Sequence, residues 1–129
     1  NALRTWQAFS ERFPTVRAQL TAAERDPELI ADGLRAARDL VGLYGADVDA
    51  TWTRRWAARS LPADDRLLLR ERIGELAYLA SEAELRTADR FDAQLPRNPA
   101  DWRQIAETCH KRRQTYRRDL PDPVIFHSM

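Results

Sequence analysis

The chain has 129 residues, of which 43% are hydrophobic, 32% are charged and only four are glycine. This length is that of one average domain, and the composition favours a soluble, helix-rich globular protein over a disordered one. The 21 Lys and Arg residues nearly balance the 20 Asp and Glu, so the net charge of +1 lacks the basic excess of a dedicated nucleic-acid binder. A single cysteine, Cys109, excludes intrachain disulfides and cysteine-cluster metal sites.

Neither end of the sequence carries an obvious targeting signal. No segment resembles a signal peptide or reaches the ~20 apolar residues of a membrane span, so a cytoplasmic setting is expected. The sequence starts with Asn-Ala, and its only Met is Met129. This start predicts that residues 1–2 remain from a cleaved tag, and that residues 1–129 are a single all-α domain from a longer protein.

The first part of the chain predicts helices separated by prolines. Residues 3–13 and 15–25 form either two short helices broken at Phe13–Pro14 or one kinked helix. The next helix is predicted over 27–44, because apolar residues recur there at intervals of three and four. Asp26 is its predicted N-cap, Pro27 its first residue and Gly45 its C-cap glycine.

Residues 49–60, DATWTRRWAARS, predict a shorter helix that pairs with the preceding one as a hairpin. Asp49 is its expected cap, and Trp52 and Trp56 would share one face. Because Trp and Arg dominate binding hot spots, this helix provides the candidate partner-binding residues. These are Trp52, Arg55, Trp56 and Arg59. The alternative is that both tryptophans anchor the hairpin core.

The longest helical pattern covers residues 62–91 and begins at Pro62, with Asp64 and Asp65 complementing the dipole of its first turn. One apolar stripe consists of Leu69, Ile73, Leu76, Ala80 and Ala83. A second apolar side consists of Leu67, Tyr78 and Leu85. The sector predicted to face water contains Glu71, Glu75, Glu82 and Arg86. A helix that is apolar over so much of its circumference is typical of a central position between neighbours.

A last helix is predicted to start at Asn98 and Pro99, with an apolar seam formed by Trp102, Ile105, Cys109, Tyr116 and Leu120. Cys109 is interpreted as a small buried hydrophobic residue. Residues 121–129 predict a non-helical tail, because Pro121 and Pro123 interrupt it. Its apolar residues are expected to dock on a groove of this chain or of the longer protein; they are Val124, Ile125 and Phe126.

The pattern as a whole predicts an all-α fold of five to six helices in antiparallel hairpins, since the alternation typical of strands is missing. The proline-marked starts at 27, 62 and 99 are 35 and 37 residues apart. This spacing is close to the ~34-residue period of tetratricopeptide hairpins. The expected architecture is therefore a tetratricopeptide-like α-solenoid fragment or an irregular helical bundle.

Residues 43–84 also carry a family resemblance, in "LYG" at 43–45, the Trp of "DATW", the "LPADD" helix start and "ELAYLA" at 75–80. This segment resembles tetratricopeptide-rich regions of large bacterial proteins, some with a serine/threonine kinase domain upstream. The resemblance implies a protein-interaction or scaffolding region, and its motifs contain no catalytic residues. In that family regular repeats follow, whereas residues 100–118 show no clean repeat signature.

The candidate chemical motifs are incomplete. Glu107 and His110 have the i, i+3 spacing of di-iron bundles, but the second such pair and the facing glutamates are missing. Residues 47–51 begin like a calcium loop, yet Trp52 stands where that loop needs glycine, and helix capping explains the aspartates better. The carboxylate pairs at 64–65 and 82–84 are interpreted as solvated helix faces. No catalytic residue, metal site or cofactor is predicted.

Two functions from different classes remain. The leading hypothesis is a non-enzymatic protein–protein interaction or scaffolding module that binds a protein or peptide partner. The alternative is a helical nucleic-acid-binding module that uses the basic cluster at 111–118. Its contact residues would be Lys111, Arg112, Arg113, Arg117 and Arg118. The near-neutral charge disfavours this alternative, and basic residues crowding a helix C-terminus are typical of a solvated helix end.

Overall fold

The structure is a computed structural model that describes residues 1–22, 26–87 and 101–110. Its elements are α1 (Ala2–Leu20), α2 (Pro27–Gly42), a 3-10 turn (Trp52–Arg54), the short helix α3 (Trp56–Arg59) and α4 (Ala63–Arg86). Residues 101–110 are also helical and are called α5. These ranges contain helices and no strand, which confirms the all-α prediction. None of these helices combines the length and the apolar character that crossing a membrane requires.

Helix α1 continues through Pro14 as a single element, so the one-helix alternative is correct. Asn1 is its N-cap, and the Arg4 backbone N–H donates to Asn1 Oδ1 at 2.9 Å. A proline inside a helix costs ~3 kcal/mol or more, because it removes a backbone hydrogen bond and crowds the preceding turn. Burial of Phe9, Phe13 and Val16 offsets this cost, at about 1.5–3 kcal/mol for each large apolar side chain.

Helix α2 begins at Pro27 after the N-cap Asp26, as predicted, although the Asp26 side chain makes no capping hydrogen bond. The helix ends at Gly42, two residues earlier than predicted. Gly45 has a φ of +72°, the left-handed conformation that glycine adopts without strain. The predicted glycine turn is therefore present, but it follows an intervening turn instead of ending the helix directly.

Contacts at opposite ends of α1 and α2 show that the two helices are antiparallel. Gly33 lies against Gln19, where a Cβ on the glycine would be 2.7 Å from the Gln19 Cβ. Beyond the end of α2, the Tyr44 ring meets the Phe9 ring edge-on, with their centroids 5.8 Å apart. Residues further along the second segment thus contact earlier residues of α1, so the two helices run in opposite directions, as in a helical hairpin.

Helix α4 runs in the same direction as α1, and α5 runs against α4, since Trp102 contacts Glu84 while Cys109 lies beside Gly74. The Arg72 guanidinium lies 4.9 Å from the centroid of the Phe13 ring, and Arg86 Nη2 donates to the Leu20 carbonyl at 2.8 Å. Helices α1, α2, α4 and α5 therefore alternate in direction, as in an antiparallel arrangement. Their tetratricopeptide-like character stays a prediction. The predicted pairing of 27–44 with a helix over 49–60 is wrong, because that segment is broken in two and α3 packs mainly on α1 and α4.

Aromatic rings connect α1 to the segment that follows α2. Phe9 stacks on Trp6 and Phe13 at centroid distances of 6.0 Å, and Tyr44 contacts Trp52 at 6.1 Å. The Tyr44 hydroxyl is buried without a hydrogen-bond partner, and burial raises the pKa of Tyr44 to about 12. This aromatic row holds the 43–55 segment against the core.

Helix α4 confirms one predicted apolar surface and corrects the other. The five residues of the predicted stripe are fully buried, as expected for a helix that packs on α1, α2 and α3. On the predicted second side, however, Tyr78 exposes 59% of its surface and Leu85 exposes 50%. Glu84, predicted to be solvated, is buried instead. The helix therefore has one core face and one largely open face.

Candidate functional site

The predicted partner-binding residues do not form a single face. Trp52 is only 2% exposed, whereas Trp56 is 57% exposed. Between them Arg55 adopts an extended conformation, with ψ of 150°, so that the 3-10 turn and α3 are separate elements. The helical spacing of four residues consequently does not apply. The prediction that Trp52 belongs to an exposed contact face is wrong, and the alternative that it anchors the core is correct for this tryptophan alone.

Arg55 closes the loop that precedes it. Its Nε donates to Asp49 Oδ2 at 3.0 Å, and the Thr51 N–H and Oγ1 donate to Asp49 Oδ1 at 2.8 and 2.7 Å. The hydrogen bonds from Thr51, followed by the one from Arg55, lower the pKa of Asp49 to about 2. A Cβ at Gly45 would collide with the Arg55 guanidinium. Arg55 thus has a local structural contact, and only Trp56 and Arg59 remain as an exposed pair.

A more extensive surface feature is the groove between α4 and α5, which has a volume of about 790 Å³. The two helices are joined at both ends of their contact. Trp102 Nε1 donates to Glu84 Oε1 at 2.9 Å, and a Cβ at Gly74 would lie 3.1 Å from the Cys109 Cβ. Because Gly74 has no side chain, α5 sits deep against α4 at this point, and longer side chains on either side form the walls.

The floor of the α4–α5 groove is mainly apolar. Leu67, Gly74, Ala106 and the buried Cys109 contribute to it, and the burial of Cys109 confirms its predicted role as a small hydrophobic residue. Ser81 also lines the groove; it is 3% exposed, and its hydroxyl lacks a hydrogen-bond partner. A buried polar group without a partner costs about 1–3 kcal/mol. The floor therefore holds one polar group whose hydrogen bonding is not satisfied.

The rim of the groove on α4 consists of Glu71, Glu75, Tyr78 and Glu82. These residues follow one another at intervals of three and four, so they lie along one side of the helix. Including α5, the lining contains four glutamates and two arginines, a net charge of −2 with His110 neutral. Glu75 Oε1 lies 3.7 Å from Arg17 Nη1, an exposed pair of small energetic value. Even with Arg17 counted beside the lining, the net charge at the groove is −1, on a chain whose net charge is +1.

Sequence reasoning missed this site, although its residues carried a signal. The glutamates were assigned to a wet sector and Tyr78 to a separate apolar side. Their positions, at 71, 75, 78 and 82, place an aromatic residue in line with the acids on one helical face. An exposed aromatic between like charges could have indicated a contact surface. The position of α5 beside this row, however, depends on the long-range Gly74–Cys109 contact.

The remaining predicted sites lie partly within and partly outside the residues that the structure describes. Glu107 and His110 are exposed on the wall of the groove. Across residues 1–22, 26–87 and 101–110 there is no group of three or more His, Cys, Asp and Glu side chains that could hold a metal ion. The helix start at 98–99 and the tail 121–129 lie outside the described residues. So does the alternative nucleic-acid cluster of Lys111, Arg112, Arg113, Arg117 and Arg118.

Comparisons with known proteins add no family to this picture. No protein-family model matches the chain, and no curated protein or solved structure is significantly similar to it. The resemblance of residues 43–84 to tetratricopeptide regions therefore stays a prediction. Function must be inferred from the geometry and charge of the α4–α5 groove.

Proposed function

We propose that the chain is a non-enzymatic protein-interaction module that binds a segment of a partner protein in the α4–α5 groove. The observation that carries this proposal is the exposure of Tyr78 beside an apolar floor. Tyrosine is enriched at interfaces because it combines a large apolar ring with a polar hydroxyl that can remain hydrated. A partner that covered Tyr78 would remove the apolar ring from water, while the hydroxyl could stay hydrated at the rim.

The lining of the groove on α4 is long enough for a stretch of polypeptide. On α4 the lining extends from Leu67 to Glu82, which corresponds to about 22 Å along the helix axis. A segment of about four helical turns would match this length. Laying the apolar side of a partner segment into a groove between helices is a common mode of peptide recognition.

The family resemblance supports the same class of function. An interaction or scaffolding region within a larger bacterial protein would need a surface for partners, and the groove provides one. Trp56 and Arg59 are a second candidate contact surface, because a large aromatic and a cation are exposed three residues apart. We place the primary site at the groove, since it combines depth, length and an exposed aromatic.

The proposal can be tested with two matched variants of α4. A displayed library of random peptides would first be selected for binding to the full chain. The selected peptides would then be labelled, and their dissociation constants measured by fluorescence anisotropy. Tyr78→Ser removes an exposed ring inside the groove, whereas Leu85→Ser removes an exposed apolar side chain of the same helix outside it. We expect Tyr78→Ser to weaken binding about tenfold, and Leu85→Ser to change it less than about twofold.

Two results would contradict the proposal. Equal affinity of the selected peptides for both variants would mean that the groove is not the site. If the library yielded no binder and the chain instead bound DNA or RNA, with affinity falling steeply as salt rises, the nucleic-acid alternative would replace it. A mobility shift at low salt, carried out beside the library selection, makes this distinction.

A further inference from the structure

We infer that the segment bound in the α4–α5 groove is a basic amphipathic helix. The inference rests on the proposed function and adds the chemistry of the partner. Its first support is charge: the groove lining has a net charge of −2 although the whole chain is at +1. The acidic groups are thus concentrated where the apolar floor lies. Complementary charge selects partners and increases association rates, so this rim favours Lys and Arg around an apolar centre.

The spacing of the acids along α4 favours a partner segment that binds as a helix. Glu71 and Glu82 are separated by about 16 Å along α4, with Glu75 between them. A helix that lay along α4 would present basic residues at the same intervals of three and four. Binding as an added strand would need an exposed sheet edge, and residues 1–22, 26–87 and 101–110 contain no strand. The groove therefore suits a helix with one apolar and one basic side.

Acidic residues stand on both walls of the groove, so the basic residues of the partner are expected on both sides of its apolar stripe. Glu82 stands on α4 and Glu107 on α5, so a bound helix would meet a carboxylate on each side of its apolar stripe. The Ser81 hydroxyl places no requirement on the partner, because its oxygen is covered by the chain itself.

The probe for this inference is a labelled peptide of about 18 residues, made of Leu and Lys, with leucines at i, i+3, i+4 and i+7. A Leu/Glu peptide of the same pattern and a scrambled Leu/Lys peptide serve as controls. Fluorescence anisotropy with the full chain gives each dissociation constant. We expect the Leu/Lys helix to bind at least about tenfold more tightly than either control. The affinity of the Leu/Lys helix should decrease when the NaCl concentration is raised from about 50 to about 300 mM, since salt screens exposed charges.

Charge reversal locates the binding. The double variant Glu82→Lys, Glu107→Lys changes one acid on each wall and should weaken the Leu/Lys helix at least about fivefold. Glu11→Lys changes an exposed acid of α1 away from the groove, and it should alter the affinity less than about twofold. Circular dichroism establishes that each variant is folded. If the double lysine variant does not fold, the neutral pair Glu82→Gln and Glu107→Gln takes its place, with a smaller effect in the same direction.

Several outcomes would overturn the inference. Binding of the Leu/Glu helix or the scrambled peptide with the same affinity would exclude recognition of a basic amphipathic helix. An equal effect of Glu11→Lys would mean that only overall charge matters. If library peptides that depend on Tyr78 carry no basic residues, the groove is an interaction site for a different partner. In that case the proposed function stands and this inference fails.

Two further measurements test for two other occupants of the groove. If light scattering shows a dimer that Glu82→Lys dissociates, a second copy of the chain fills the groove. A photo-crosslinking residue placed at 78 would join residues 111–118 of the same molecule if the chain's own basic segment filled it. Either result overturns the inference. A monomer that binds the Leu/Lys helix and crosslinks to it from position 78 supports it.

Discussion

On the face of α4 that packs against α1 and α2, Leu69, Ile73 and Leu76 have no exposed surface, whereas beside α5 more than half of Tyr78 is exposed. The first face is apolar without interruption. The second alternates acids with one aromatic residue over an apolar floor. Burial stabilises the fold in proportion to the apolar area removed from water, and an open face contributes little to it. The two faces therefore separate the residues that stabilise the fold from those that would bind a partner under the proposed function.

The largest effect that tests this separation is expected for Ile73→Ala. Ile73 is fully buried, and removing such a side chain costs about 2–5 kcal/mol through lost transfer energy and the remaining cavity. Tyr78→Ser, on the open face, should change the free energy of unfolding by less than about 1 kcal/mol. Urea denaturation followed by circular dichroism measures both. Equal losses in the two variants would contradict the separation of the faces.

The sequence predicted the core face well because its signal is local. Leu69, Ile73 and Leu76 recur at helical intervals, and burial of such a stripe requires only that other apolar helices exist. The start at Pro27 was correct and the start at Pro62 was one residue early, since α4 begins at Ala63; both are close because proline acts on its own backbone. Local pattern was sufficient for the helix starts and for the buried side of α4, but not for the helix ends, because α2 ends at Gly42 and α4 at Arg86 instead of at the predicted residues 44 and 91.

The open face could not be predicted, because its environment depends on a distant segment. Whether Tyr78 and Leu85 are covered is decided by how α5 meets α4, at contacts more than 15 residues apart in sequence. The environments of the two tryptophans of the 49–60 segment likewise could not be predicted from local pattern. A single extended residue, Arg55, rotates Trp56 away from Trp52, and that conformation accompanies the hydrogen bond of Arg55 to Asp49. Periodicity describes such a segment only if it is one continuous helix.

Two glutamates of α4 provide a second test of the difference between buried and exposed positions, with an expected stability loss of intermediate size. Glu84 accepts the buried Trp102 Nε1–H, whereas Glu82 stands exposed at the rim of the groove. Glu84→Ala leaves the indole N–H without this acceptor, so we expect a loss of about 1–3 kcal/mol. Glu82→Ala should change stability by less than about 0.5 kcal/mol, as for other surface substitutions. Thermal and urea unfolding compare the two, and a smaller loss for Glu84→Ala would mean that this bond does not hold α5.

The smallest expected effect concerns Gly74, which lies where α5 comes closest to α4. Replacing a helical glycine with alanine stabilises a helix by up to about 1 kcal/mol when space allows. At Gly42 space does allow it, since a Cβ there would have its nearest neighbour at 4.0 Å. At Gly74 the Cβ would lie 3.1 Å from the Cys109 Cβ, so α5 must yield by a few tenths of an ångström. We therefore expect Gly74→Ala to gain less stability than Gly42→Ala.

The thiol of Cys109 reports directly on this contact, because it is buried and is not part of a disulfide. If the added methyl group displaces α5, a thiol reagent should label Cys109 faster in Gly74→Ala than in Gly42→Ala, while both variants stay folded at the labelling temperature. Equal gains in stability together with equal labelling rates would mean that α5 is not held against Gly74. The floor of the groove would then be adjustable, and its depth would be set by the occupant instead of by the contact between the two helices.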